Sequence, residues 1–233
     1  MIDTSNVGNR LFAKFGAADL ATLATHTDRI ALEIGDLLIE PNEPVRYVWF
    51  PETALASLVI VLEDGSTVES GAVGREGMVG IPILLGTETT PMQTVTQVSG
   101  DALRIPAGVI RELYARGGAL QTLLNRYVNT AFIVASQSAA CNRRHQVDER
   151  LARWLLMSSD GIGSDDIAIT QEYLATMLGV RRAGVTEAAL ALQERGLIQY
   201  RRGFIAITNR PELEDAACEC YRIVHEQYES MLG

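Results

Sequence analysis

The chain has 233 residues, 47% of them apolar and 21% charged, with a formal charge of −9. That balance is too apolar for a disordered chain and fits a packed protein of one large or two smaller domains, while the net acidity, taken alone, argues against a polyanion as partner. No apolar stretch approaches the roughly 18 residues of a membrane span and the polar start 1–10 lacks a signal-peptide pattern, so a cytoplasmic protein with no membrane partner is expected.

Residues 10–24 place Leu11, Phe12, Phe15, Leu20 and Leu23 at mixed helical spacing and read as a short helical lead-in broken at Gly16. From Arg29 to Pro106 the pattern turns to short Val/Ile/Leu runs at 29–34, 37–39, 46–50, 55–62, 67–73, 93–98 and 102–105, punctuated by Gly, Pro and Asp. Asp64-Gly65 suits a type I′ hairpin turn, and many short, evenly spaced strands predict an all-β barrel or double-sheet roll. Pro106 is placed to open a helix through Arg116, which Gly117-Gly118 interrupts. Leu120, Leu124, Tyr127, Ala131 and Val134 then alternate at three and four residues along a helix of about two dozen residues. This stripe can serve the chain's own core or pack against its twin in a dimer; its place between two unlike domains favours the dimer.

Residues 148–157 mix charged and apolar positions, and Ser158–Asp166 reads as a loop. After a short strand at 167–169, Thr170 can cap a helix that buries Tyr173, Leu174, Met177 and Leu178 and ends at Gly179. A second helix over about 181–195 buries Val185, Ala189, Leu190 and Leu192. The strand pair 197–200 and 204–207 follows, with Arg201-Arg202-Gly203 at its tip. Two short helices joined through a Gly turn, then a hairpin, are a helix-turn-helix with a wing, whose second helix enters the major groove. Such a corner also occurs in proteins that do not bind DNA, so a regulator whose winged helix contacts protein is the alternative. Residues 167–210 carry six basic and three acidic side chains, and a local basic face matters more to phosphate than the total charge. Three cysteines, Cys141, Cys218 and Cys220, form an odd set without metal-site spacing; His26, His145 and His225 are scattered. No disulfide framework, metal site, cofactor or catalytic group is expected.

The order of acidic roll, long apolar helix and winged helix resembles the Crp/Fnr family of bacterial transcription regulators. The stretch from Ile169 through Thr170, Gln171, Glu172 and Tyr173 to Arg181 and Arg182 resembles its DNA-reading motif, and Gly196-Leu197-Ile198 with the basic hairpin resembles its wing. The resemblance implies an α+β, non-enzymatic chain: a cyclic-nucleotide-binding-like antiparallel double-stranded β-roll (1–118), a dimerisation helix (119–145) and a winged helix-turn-helix domain with a C-terminal helix (146–233). It implies a homodimer on a two-fold double-stranded DNA operator, RNA polymerase as a further partner and an unidentified small-molecule effector. Arg182 keeps the position of the family's guanine-reading arginine, with Thr186 and Glu187 one turn on. Gln171, Arg181, Arg201 and Arg202 are placed for backbone contact. Ala183 replaces the family's cytosine-reading glutamate, so a different half-site is expected. Ile81 stands where cyclic-nucleotide binders carry a ribose-binding carboxylate, and no arginine stands near Met92 for the phosphate. Cyclic AMP is therefore not the expected effector. Arg75 and Glu76 in the glycine-rich turn are candidates to touch another one. No cysteine precedes Cys141 to hold the family's N-terminal iron–sulfur cluster, and His26, the roll's only histidine, reads as surface or core rather than a haem ligand.

Overall fold

The computed structural model describes residues 2–4, 6–65, 67–201 and 203–233. A short helix α1 (Ala17–Ala24) precedes seven strands: β1 (Asp28–Leu32), β2 (Leu37–Ile39), β3 (Tyr47–Pro51), β4 (Leu55–Val61), β5 (Thr67–Val73), β6 (Gln93–Val98) and β7 (Gly100–Pro106). They pair antiparallel in two sheets, of order β1-β7-β3 and β2-β6-β4-β5. Their inward faces enclose Val48, Phe50, Leu103 and Ile105, and Phe12, Phe15 and Phe50 meet edge to face at 5.3–5.9 Å. The β4–β5 hairpin falls where Asp64-Gly65 marks it, but not as a type I′ turn. Gly65 takes the positive φ (81°) without Asp64, and its N–H donates to Leu62 O at 2.9 Å, closing a longer connection.

Helix α2 (Ala107–Ala115) leads to α3 (Gly118–Arg144). Leu120, Leu124 and Tyr127 are buried in the roll's core, and Val134 is buried as well. This corrects the expected dimer stripe. Four of its five residues are already covered by their own chain and have no surface left to offer a second copy, while Ala131 is half-buried beside them.

Helix α4 (Val147–Ile162) starts at a capping box, in which Gln146 N donates to Glu149 Oε2 at 2.8 Å. It runs five residues into the stretch read as loop because Ser158 and Ser159 are buried and helical, and the helix ends only at Gly163. Strand β8 (Asp166–Ile167), α5 (Gln171–Leu178), α6 (Arg182–Glu194), β9 (Ile198–Arg201) and β10 (Phe204–Ile207) complete a winged helix with sheet order β8-β10-β9. Two helices close the chain, α7 (Arg210–Ala216) and α8 (Cys220–Leu232).

The two halves share their cores. Leu55 and Val98 of the roll are packed into the winged-helix cluster, and Met231 and Leu232 at the end of α8 return to the roll's cluster. Where β5 ends, the backbone itself touches α4: Arg75 N donates to Gly161 O at 2.8 Å. No described helix is long and apolar enough to cross a membrane.

Candidate functional site

Local chemistry fixes the helix pair. Thr170 Oγ1 accepts from Tyr173 N at 3.3 Å at the start of α5, and Gly179 takes the left-handed φ of 61° that ends it. Arg181 then caps α6 with its side chain free of the cap. Val185, Ala188, Ala189 and Leu192 are buried, which leaves Arg181, Arg182, Ala183 and Glu187 outward. Leu190, expected in the core, is 50% exposed. At about 100° per residue it falls on the side of Glu187 rather than on that of Val185 and Leu192.

Gln171 opens α5 beside this face, and Thr186 Oγ1 donates to its Oε1 at 3.2 Å. Arg182 lies 3.9 Å from Glu172, both side chains largely exposed. Gln171, Arg182 and Thr186 thus form one patch at the start of α6, with Arg181 and Glu187 beside it. Arg201 is exposed at the end of β9, its guanidinium donating to Gln199 Oε1 at 3.1 Å. Arg202 lies outside the described residues.

The roll holds a cavity of about 480 Å³ between its β4–β5 face, the segment 78–92, α3 and α8. Leu58, Met78, Ile81, Met92, Tyr127 and Tyr228 line it, and no charged side chain is among its described walls. Tyr127 donates to Met78 O at 2.8 Å across its floor. Arg75 and Glu76, expected as effector contacts, are not among the walls of this cavity. They occupy the turn facing α4, where Glu76 Oε1 accepts from Gly74 N at 2.9 Å. The roll histidine, His26, is exposed, its ring against Thr22 O and Thr25 Oγ1.

Sequence reasoning missed Glu69, which joins the two halves. It sits on β5 facing α4 and α5, with Ser57 Oγ 2.5 Å from Oε2 and Trp154 Nε1 3.4 Å from Oε1. Ser57 Oγ donates to Glu69 Oε2 and also lies 2.7 Å from Gln97 Oε1. Burial pushes the Glu69 carboxyl up to about 7, against the opposing pull of Ser57, Trp154 and the charge of Arg153. An unfolded Glu69 would lose its proton near the ordinary value of 4.5. Between that pH and 7 the folded chain holds a proton that the unfolded one has released, so stability falls as pH rises through this window and levels off above it. Glu69→Gln is expected to flatten that stretch of the profile and to stabilise the chain at pH 8 on the order of 1–3 kcal/mol. Urea unfolding across a pH series checks this; parallel profiles would refute it.

Comparison with known proteins gives two domain matches: residues 29–116 match the cyclic nucleotide-binding domain and residues 149–216 the Crp-like helix-turn-helix domain. No curated protein sequence matches the chain. Among solved structures it is similar to a protein described as a transcriptional regulator of the Crp/Fnr family from Eubacterium rectale, with a TM-score of 0.66, 18% identity and coverage of 88% of this chain and 96% of that one. It is also similar to FixK2 from Bradyrhizobium japonicum, at TM-score 0.67, 13% identity and coverage of 82% and 98%. The c-di-GMP responsive global regulator CLP of Xanthomonas campestris matches at TM-score 0.63 and 16% identity, over 82% of this chain and 99% of that one.

Proposed function

The chain belongs to the Crp/Fnr family of transcription regulators, and on that premise we propose that it binds a two-fold DNA operator as a homodimer, reading bases with the first turns of α6. The outward Arg181 and Arg182 beside Gln171 and Thr186 carry this reading. Arginine forks at a helix start match guanine edges in the major groove, and a hydrogen-bonding Gln at the start of the preceding helix suits the backbone. Selection of binding sites from genomic fragments by the purified protein tests it. Enrichment of one palindromic half-site supports the proposal, and affinity no better than for random duplex overturns it.

The dimer contact proposed here uses the outward face of α3. Asn125, Asn129, Phe132, Ser136 and Ala139 are exposed and repeat at four and three residues, the spacing of a helix–helix seam. Phe132, 72% exposed, is its one large apolar group. Burying it would contribute about 1.5–3 kcal/mol per copy, so Phe132→Glu is expected to give monomers in sedimentation. An unchanged dimer would refute this seam.

RNA polymerase is the proposed partner at the promoter, and the roll cavity the proposed effector site. A cyclic phosphate in that cavity would lack a counter-charge, at a cost that its apolar walls cannot offset. The effector proposed is therefore an uncharged, largely apolar molecule, unlike the c-di-GMP of the Xanthomonas regulator's name. Calorimetry should find no micromolar binding of cyclic AMP or cyclic GMP; a saturable isotherm with either would refute this.

A further inference from the structure

All three cysteines of the chain and one of its three histidines converge where α3, α4 and α8 meet. Cys141 lies in the last turn of α3, His145 caps that helix, Cys218 precedes α8 and Cys220 is its first residue. Their four potential ligand atoms lie within 4.8 Å of one another. Cys141 Sγ and Cys218 Sγ are 3.5 Å apart, and Cys220 Sγ is 3.5 Å from His145 Nδ1. Zinc–sulfur bonds of about 2.3 Å in a tetrahedron set thiolate sulfurs about 3.8 Å apart. The spacing therefore fits one ion, whereas a cluster of several irons holds its thiolates farther apart. We propose that Cys141, His145, Cys218 and Cys220 form a Cys₃His site for a single zinc ion, fastening the start of α8 to the α3–α4 junction.

The surroundings are those of a ligand set. His145 turns Nε2 to Glu219 Oε2 at 3.2 Å, which orients the ring with Nδ1 toward the thiols, as carboxylates behind zinc-bound histidines do. Gln137 Nε2 donates to Cys220 Sγ at 3.1 Å. A second, independent observation is electrostatic. Arg150 and Arg153 on α4 are buried, at 9% and 8% exposure, yet neither forms an ion pair with a carboxylate among the described residues, and the Nε of each has no hydrogen-bond partner. Arg150 instead gives its guanidinium to Leu178 O and Arg153 to Ser138 Oγ. Buried guanidinium groups need a counter-charge. Zinc with three thiolates and a neutral imidazole would carry a net charge of −1.

This inference stands apart from the DNA-binding reading, because its test reads metal alone. Full-length protein purified under reducing conditions should contain one zinc per chain by plasma mass spectrometry, retained through a wash with a weak chelator. Cys220→Ser and His145→Ala should each lose it. In the unaltered protein, cobalt exchanged for zinc should give the intense visible bands of a tetrahedral site and thiolate-to-cobalt charge transfer, a readout that does not depend on a variant folding. Iron with broad visible absorption in place of zinc would overturn the proposal. So would reduced protein that takes up neither zinc nor cobalt, or full zinc content in both variants.

Discussion

Arg182→Ala is expected to weaken the complex with the selected operator by about 1–3 kcal/mol, roughly 5- to 150-fold, and to relax the preference at one base pair in each half-site. Arg182 is the first residue of α6 and its side chain is 66% exposed, so truncation leaves no cavity and does not unsettle the helix pair. Its link to Glu172 at 3.9 Å is long and solvated, and holds the guanidinium too weakly to compete with a base edge. Arg201 provides the contrast. On the exposed end of β9 it is placed to meet phosphate in the proposed complex, so Arg201→Ala should weaken selected and random duplex alike and make the salt dependence shallower by about one unit per lost contact. The same outcome is expected of Arg202. Affinity against salt, on selected and random duplex, separates the two roles. Loss of sequence preference in Arg201→Ala together with uniform weakening in Arg182→Ala would reverse the assignment.

Gly74→Ala is expected to part the roll from the winged helix. A Cβ there would stand 2.3 Å from Gly161 Cα and 2.6 Å from the Gly161 carbonyl, and backbone cannot swing aside as a flexible side chain can. The added methyl must push the end of β5 off α4 and break the Arg75–Gly161 hydrogen bond. Overpacking of this kind costs about 1–3 kcal/mol, which in a chain of this size lowers the melting temperature by several degrees. Small-angle scattering should show a wider particle, and protease should gain access to the seam around Glu69. A variant with the parent's melting temperature and scattering curve would show that the two glycines do not meet in solution.

The features legible in the sequence are those that short stretches decide for themselves. Thr170 and Gly179 bracket α5 because a hydroxyl cap and a left-handed glycine act within one turn, and Gly and Pro punctuation marks the roll's strands for the same reason. What a helix face packs against is decided by distant residues. The stripe Leu120, Leu124 and Tyr127 has the same period whether it meets a second copy or its own roll, and only the folded chain shows the roll covering it. Spacing hid the cysteine cluster likewise, since Cys141 and Cys218 are brought together by the return of α8 along α3. Glu69 gave no local sign either, because its raised carboxyl comes from burial against elements distant in the chain, with Ser57 and Trp154 pulling the other way.

The return of α8 also limits how the molecule can move. The chain leaves the roll through the α3–α4 junction and comes back through α8, whose last residues Met231 and Leu232 are seated in the roll's core and whose Glu229 pairs with Arg10 at 2.7 Å. A reading head on a single tether can turn about any axis. With these two anchorages the head can rock about the line that joins them only by opening the β5–α4 seam at Arg75 and Gly161, and every other displacement must unseat α8 as well. A ligand in the roll that nudged α3 and α8 would therefore reach the DNA-reading helices as one tilt of fixed direction, like a rocker arm on its shaft.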